Sequence, residues 1–134
     1  SLSPKNAINL NGRKNAIGTA EPAKSVLIDP HFLQTLELDA VVSGTAEILK
    51  LAIVRSADLF ALLESIGPEL VESRFDGHIG EQIVSAAARL FLRMKWEAPY
   101  PGNQPASLRS FGHRFSRCLE ELNNFRLPHG FGFR

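Results

Sequence analysis

The chain has 134 residues, with 15 basic against 14 acidic side chains and a net charge of +1, the size of a single domain. Its 44% hydrophobic and 22% charged residues exclude a disordered or fibrous chain. No apolar run reaches the ~18–20 residues of a membrane span, and Ser1-Leu2-Ser3-Pro4-Lys5 lacks the apolar stretch of a secretion signal. The one cysteine, Cys118, precludes an internal disulfide, so a reducing, cytoplasmic setting is expected.

Charge is unevenly spread. Residues 1–24 carry Lys5, Arg13, Lys14 and Lys24 against Glu21, a net +3. Residues 25–82 carry three basic and ten acidic side chains, a net −7, and residues 83–134 carry eight against three, a net +5. The global basic excess that a nucleic-acid backbone rewards is missing, so no nucleic-acid partner is expected. Two basic segments flanking an acidic centre can instead converge on a phosphorylated ligand or fall on unrelated surfaces.

In chain order, residues 1–24 have few large apolar side chains and read as loop, which is long for a compact domain. Ser25-Val-Leu-Ile-Asp29, closed by Pro30, predicts one buried strand. From Ser43 the pattern is helical. Ser43 is a candidate cap for a helix over 44–54, and Ser56 for a second helix with Leu59, Phe60, Leu62, Leu63 and Ile66 as core. Gly67-Pro68 reads as its stop. Ile79, Ile83, Ala87, Leu90 and Met94 form a helical stripe, and Leu108, Phe111, Phe115, Cys118 and Leu122 another over 107–122. A lone strand has no partner for its edges, which hints at a piece of a larger protein.

Singly, the polar residues are unspecific. Glu47 and Lys50 sit at i and i+3 on one helix flank, and such a pair is usually a weak surface ion pair. His113 falls within an apolar stripe and His129 in a glycine-flanked loop, where packed or solvated roles are the default. Asn9, Asn11, Lys14 and Asn15 read as solvated loop residues.

Together, these positions resemble a known family. Val42-Ser-Gly-Thr-Ala-Glu47-Ile-Leu-Lys50 is similar to the S-G-x-A-E-x-I/L-K segment of the sugar phosphate cyclases, which include 3-dehydroquinate synthase and 2-epi-5-epi-valiolone synthase. Lys5-Asn-Ala-Ile-Asn9 with Lys14-Asn15 and Ile17-Gly18 resembles the family's K-x-x-V-N…K-N-x-[IL]-G stretch. Val26-Leu-Ile-Asp29 with Phe32-Leu-Gln-Thr-Leu36 resembles V-L-I-D-x-x-F-L-x-T-L. Phe111-Gly-His113-Arg-Phe-Ser116 resembles F-G-H-T-F-S, and Leu127-Pro-His129-Gly130 resembles L-L-H-G. Five motifs in register, from Lys5 to Gly130, make the resemblance specific.

The resemblance implies a mainly α chain: the helical C-terminal domain of a dehydroquinate synthase-like fold, with one strand and an N-terminal substrate loop. Residues 1–42 would lead in from a Rossmann-type NAD domain, itself absent here, and 43–134 would form the helical metal-binding domain. Glu47, His113 and His129 match the zinc ligands. Two imidazoles and a carboxylate leave coordination positions open for Lewis-acid chemistry, with cobalt as the alternative ion. Lys50 and Lys5 match catalytic positions, Lys14 and Asn15 substrate-binding ones, and Lys14 one also near the NAD cofactor. The implied reaction is a phosphate-eliminating lyase reaction: NAD transiently oxidises a ring hydroxyl, phosphate leaves, the hydride returns, and an aldol step closes a carbocycle.

Phe115-Ser116, and Arg117 where dehydroquinate synthases carry a second histidine, favour the valiolone branch acting on sedoheptulose 7-phosphate. A 3-dehydroquinate synthase fragment is the alternative. Departures are Ser110, Arg114 and Phe131 at positions where the family has Asn or Asp, Thr, and Glu, and no G-x-G-x-x-G motif is present. Three states of the chain stay open. It is a truncated cyclase, a subunit completed by a separate NAD-binding chain, or a non-catalytic cyclase module acting by binding. The family also allows a homodimer, and no membrane partner is expected.

Overall fold

A computed structural model describes residues 2, 5–21, 23–97, 113–124 and 126. The first element is a hairpin of two antiparallel strands, β1 (Lys5–Leu10) and β2 (Arg13–Ala20). Asn11 and Gly12 join them at φ 49° and 70°. Two consecutive positive φ values give a turn whose twist matches that of paired strands, and Asn-Gly adopts it readily. The register runs from Lys5 opposite Ala20 to Ile8 opposite Ile17, then slips before Leu10 opposite Arg13. Three residues of β2, Lys14 to Ala16, thus face the single residue Asn9, and the strand bulges.

The hairpin corrects the expectation of a loop over residues 1–24. It also corrects the position of the strand, because residues 25–29 form none. A strand needs a hydrogen-bonding partner, and β1 and β2 satisfy each other. Residues 25–29 run as connecting chain with Leu27 95% exposed.

A 3-10 helix (Pro30–Thr35) follows, opened by Asp29, whose carboxylate accepts from the His31 backbone N–H at 3.0 Å. Then come α1 (Leu38–Arg55), α2 (Ala57–Glu72), α3 (Gly77–Glu97) and α4 (His113–Leu122). The mainly helical class is as expected, with differences at the ends. Helix α1 begins at Leu38 rather than beyond Ser43, and its cap position, Glu37, makes no side-chain cap bond. Ser56 does cap α2, its Oγ accepting from the Leu59 N–H at 3.2 Å.

Gly67-Pro68 does not stop α2, which continues to Glu72 with Pro68 inside it. A residue before proline is normally pushed out of the helical region by contact with its Cβ. Gly67 has no Cβ, and Leu70, one turn beyond, is anchored in the core.

The core gathers Val41 and Ala52 of α1, Leu59, Leu63 and Leu70 of α2, Phe75 between helices, and Ile83 of α3. Helix α1 packs on both α2 and α3, and the 3-10 helix rests on α3. Burying each large side chain stabilises by roughly 1.5–3 kcal/mol. On α3 the buried residues are Gly80, Ile83 and Ala87, whereas the expected core residue Ile79 is 53% exposed. The expected stripe therefore holds at Ile83 and Ala87, and Leu90 packs against the core; it differs at Ile79, because α3 approaches Phe75 through Gly80 instead.

The α2–α3 turn has two consecutive non-glycine residues in the left-handed region, Arg74 (φ 55°) and Phe75 (φ 60°). Such conformations cost on the order of 1–3 kcal/mol each and persist only where neighbours hold them. The Phe75 N–H donates to Leu70 O at 2.7 Å, and its ring is buried. Gln34 Nε2 donates to the carbonyls of Ser73 and Arg74, at 3.3 and 3.2 Å, and Arg74 Nε donates back to Leu36 O at 3.1 Å. This exchange ties the 3-10 helix to the turn.

Candidate functional site

Helix α1 positions the acid and base of the A-E-x-x-K segment. Its core stripe, Val41, Ile48 and Ala52, faces α2 and α3. The stripe Ser43, Glu47, Lys50 and Val54, spaced by four, three and four, lies on the other side of the helix and is also part-buried. A helix covered on two flanks, one of them polar, differs from the usual arrangement of one apolar face and one wet face.

Lys50 Nζ donates to Glu47 Oε2 at 2.5 Å, with the two side chains 11% and 36% exposed. The other carboxylate oxygen, Oε1, is buried. This is not the exposed surface pair that the spacing alone suggests. With Lys50 largely withdrawn from water and Glu47 partly so, the two attract each other more strongly than a fully exposed pair, and removal of Glu47 leaves the ammonium in a poorly solvated place.

The expected substrate residues lie on the hairpin, not on a loop. Lys5 opens β1, and Lys14 and Asn15 occupy the β2 bulge. Asn15 has φ 56°, and its N–H donates to Asn9 Oδ1 at 2.9 Å. Asn9, read from sequence as a solvated loop residue, therefore braces the bulge that carries Lys14 and Asn15. Bulges re-aim the side chains of a strand. The two-residue Asn-Gly turn, a signal present in the sequence, places Lys14 opposite Asn9; the register slip that also brings Asn15 there had no such signal.

Of the two expected histidine ligands, His113 is the first residue of α4. Its side chain lies outside the described residues, as do those of Lys5 and Lys14 and all of His129. Among the described residues, no three His, Cys, Asp or Glu side chains come together as a metal site. Of the expected site, the described side chains that meet are Glu47 and Lys50.

The face of α4 was misjudged from sequence. Cys118 is exposed and Leu122 is 82% exposed, whereas Ser116 is fully buried and Glu120 5% exposed. Leu108 and Phe111 of the expected stripe, and the side chain of Phe115, lie outside the described residues. Ser116 Oγ donates to Glu120 Oε1 at 2.7 Å. A buried carboxylate is stable only when hydrogen-bonded, and a serine four residues upstream on the same face was the clue available in the sequence.

Elsewhere, His31 Nδ1 lies 2.8 Å from Asp29 Oδ1, and its Nε2 lies 4.0 Å from Glu81 Oε1. The hydrogen bond with Asp29 raises the imidazole pKa above its ordinary value and holds the carboxyl below its own. A shallow depression on α3, lined by His78, Glu81, Gln82, Ser85, Ala86 and Arg89, includes none of the expected site residues. No helix among the described residues is long and apolar enough to cross a membrane.

Comparison with known proteins agrees with the sequence motifs. The 3-dehydroquinate synthase N-terminal family matches residues 1–43. A 2-epi-5-epi-valiolone synthase from Actinoplanes sp. is 37% identical over 131 residues, 94% of this chain and 33% of that protein. A 3-dehydroquinate synthase from Chlamydia felis is 33% identical over 130 residues, 97% of this chain and 33% of that protein. The solved structure of ValA, a 2-epi-5-epi-valiolone synthase from Streptomyces hygroscopicus subsp. jinggangensis, holds NAD+ and Zn2+. It superposes with a TM-score of 0.87 at 36% identity, over 98% of this chain and 36% of that one. The chain spans about a third of the length of the curated relatives it matches. It is a homologue of the sugar phosphate cyclases, with the dehydroquinate synthase-like fold.

Proposed function

We propose that this chain supplies the metal-binding and part of the substrate-binding machinery of a sugar phosphate cyclase of the 2-epi-5-epi-valiolone synthase type, acting on sedoheptulose 7-phosphate. The observation that carries this reading is the part-buried Glu47–Lys50 pair on α1, inside the segment that resembles the cyclase A-E-x-x-K motif.

Glu47, His113 and His129 would hold zinc. The described member of that set suits a divalent cation: Glu47 is ionically engaged at Oε2 and presents a second, buried oxygen. Bound zinc would polarise a substrate oxygen and bound NAD would accept and return a hydride. Lys50, one helical turn from Glu47, would hold a substrate oxygen or the departing phosphate. Lys5, Lys14 and Asn15 would bring cationic and amide donors to the sugar phosphate from the hairpin, with Lys14 also near the nucleotide. Relatives named as valiolone synthases match at 31–38% identity and those named as dehydroquinate synthases at 28–33%; the ranges overlap, and the higher matches, at 37 and 38%, support the valiolone branch.

The test is zinc content per purified chain for the native protein, Glu47→Ala and His113→Ala. Near one zinc per native chain, lost in both variants, is the expected result; retention in Glu47→Ala overturns the ligand assignment. Phosphate release from sedoheptulose 7-phosphate and from the dehydroquinate synthase substrate, measured with an added NAD-binding cyclase chain, then separates the two branches. Release from the second alone overturns the valiolone reading.

A further inference from the structure

We infer that Lys50 acts as an intramolecular competitor for the cation that Glu47 would take, so that ammonium and metal ion share one carboxylate at each other's expense. The inference rests on the metal reading of Glu47 given above.

The geometry sets up the competition. Lys50 Nζ lies 2.5 Å from Glu47 Oε2, and Oε1 of the same carboxylate is buried. The i, i+3 placement keeps both side chains on one flank of α1. With its side chain only 11% exposed, the lysine cannot carry its charge far from Glu47 without losing either the carboxylate or its packing. A cation on Oε1 therefore sits within a few ångströms of a fixed positive charge, and the two repel. The lysine also draws on the negative charge that the metal would use.

Two roles for Lys50 make opposite forecasts. A lysine that merely orients Glu47 strengthens metal binding, and its removal weakens the site. A competing lysine weakens metal binding, and its removal strengthens the site. The like-charge repulsion of a divalent ion at this separation corresponds to a change in metal affinity on the order of tenfold or more.

Linkage makes the effect mutual: a cation at Glu47 loosens that carboxylate's hold on Lys50 by the same factor. The released ammonium is then available to an oxyanion. A divalent cation beside the ion pair adds two positive charges to this flank of α1, which favours the arrival of a phosphate dianion. Metal first and anionic sugar phosphate second is the order this arrangement favours.

The experiment is a zinc titration of the whole chain against a chromophoric chelator, for the native protein, Lys50→Met, Lys50→Gln and Glu47→Gln, with far-UV circular dichroism confirming the fold of each. Lys50→Met fills the same space without charge, and Lys50→Gln carries the measurement if Lys50→Met does not fold. Zinc affinity on the order of tenfold higher in the lysine variants, and lost in Glu47→Gln, is the expected result. Equal or weaker zinc binding in the lysine variants overturns the competition while leaving the metal reading intact. No zinc binding by the native chain, or full binding by Glu47→Gln, overturns both.

Discussion

Replacing a helical glycine by alanine ordinarily stabilises a helix by roughly 0.5–1 kcal/mol, because alanine loses less backbone entropy on folding. At Gly80 the sign reverses. A Cβ built there lies 2.0 Å from Phe75 O, 2.4 Å from its carbonyl carbon and 2.8 Å from its Cα. These are backbone atoms, so no side-chain rotation relieves the contact, and α3 or the α2–α3 turn must move by an ångström or more. That turn already holds Phe75 at φ 60° with its ring in the core. Overpacking of this kind costs about 1–3 kcal/mol or more, against a propensity gain of at most about 1 kcal/mol. Gly80→Ala is therefore expected to lose about 0.5–2 kcal/mol net of the propensity gain. Gly44, inside α1 with nothing within 4 Å of a built Cβ, is the control and is expected to gain about 0.5–1 kcal/mol on the same change. Urea unfolding followed by circular dichroism measures both. A Gly80→Ala protein as stable as the native one would refute the close approach of α3 to Phe75.

Two further outcomes are expected. The His31 imidazole, followed by NMR, titrates above its ordinary 6.5 and returns toward it in Asp29→Asn, because the Asp29 hydrogen bond favours the charged ring. The raised imidazole contributes stability below pH 6.5 that is lost as pH rises through its folded value, and the lowered Asp29 carboxyl contributes stability above pH 3.8 that is lost on acidification. The two contributions coincide between those values, and a native-like His31 titration in Asp29→Asn would contradict the pairing. Ser116→Ala removes a donor from the buried Glu120 carboxylate and is expected to cost about 1–3 kcal/mol. An unchanged melting temperature would show that α4 does not bury this pair.

Element type was largely legible in the sequence wherever apolar spacing was regular. Ser56 before Leu59 announced the start of α2, and the α3 stripe announced its helix and its buried Ile83 and Ala87, but put Ile79 in the core because Gly80 had no side chain to count. The hairpin was missed for a physical reason. Ile8 and Ile17 are 63% and 56% exposed, so neither strand shows the alternation of a half-buried sheet, and only Asn11-Gly12 betrayed it. Gly67-Pro68 misled because local chemistry was read without the downstream anchor of Leu70. Within the candidate site, the motif gave Glu47 and Lys50, but it could not say that their flank of α1 is part-buried. Burial belongs to packing partners distant in sequence, and on α4 the same ignorance put Cys118 and Leu122 in the core and missed Ser116 and Glu120.

The expected site is divided between two kinds of support. Glu47 and Lys50 sit near the middle of the eighteen-residue α1, whose backbone hydrogen bonds open only when the helical core does. Lys14 and Asn15 sit in an irregular stretch of a two-stranded ribbon, a structure of marginal stability in water. Amide exchange should accordingly separate them: slow, globally coupled protection around residue 47, and fast, local opening around residue 15. In thermodynamic terms one half of the site is as permanent as the fold, while the other is populated only as far as the ribbon stays closed, so that a ligand bridging the two halves would register as added protection of the hairpin amides alone.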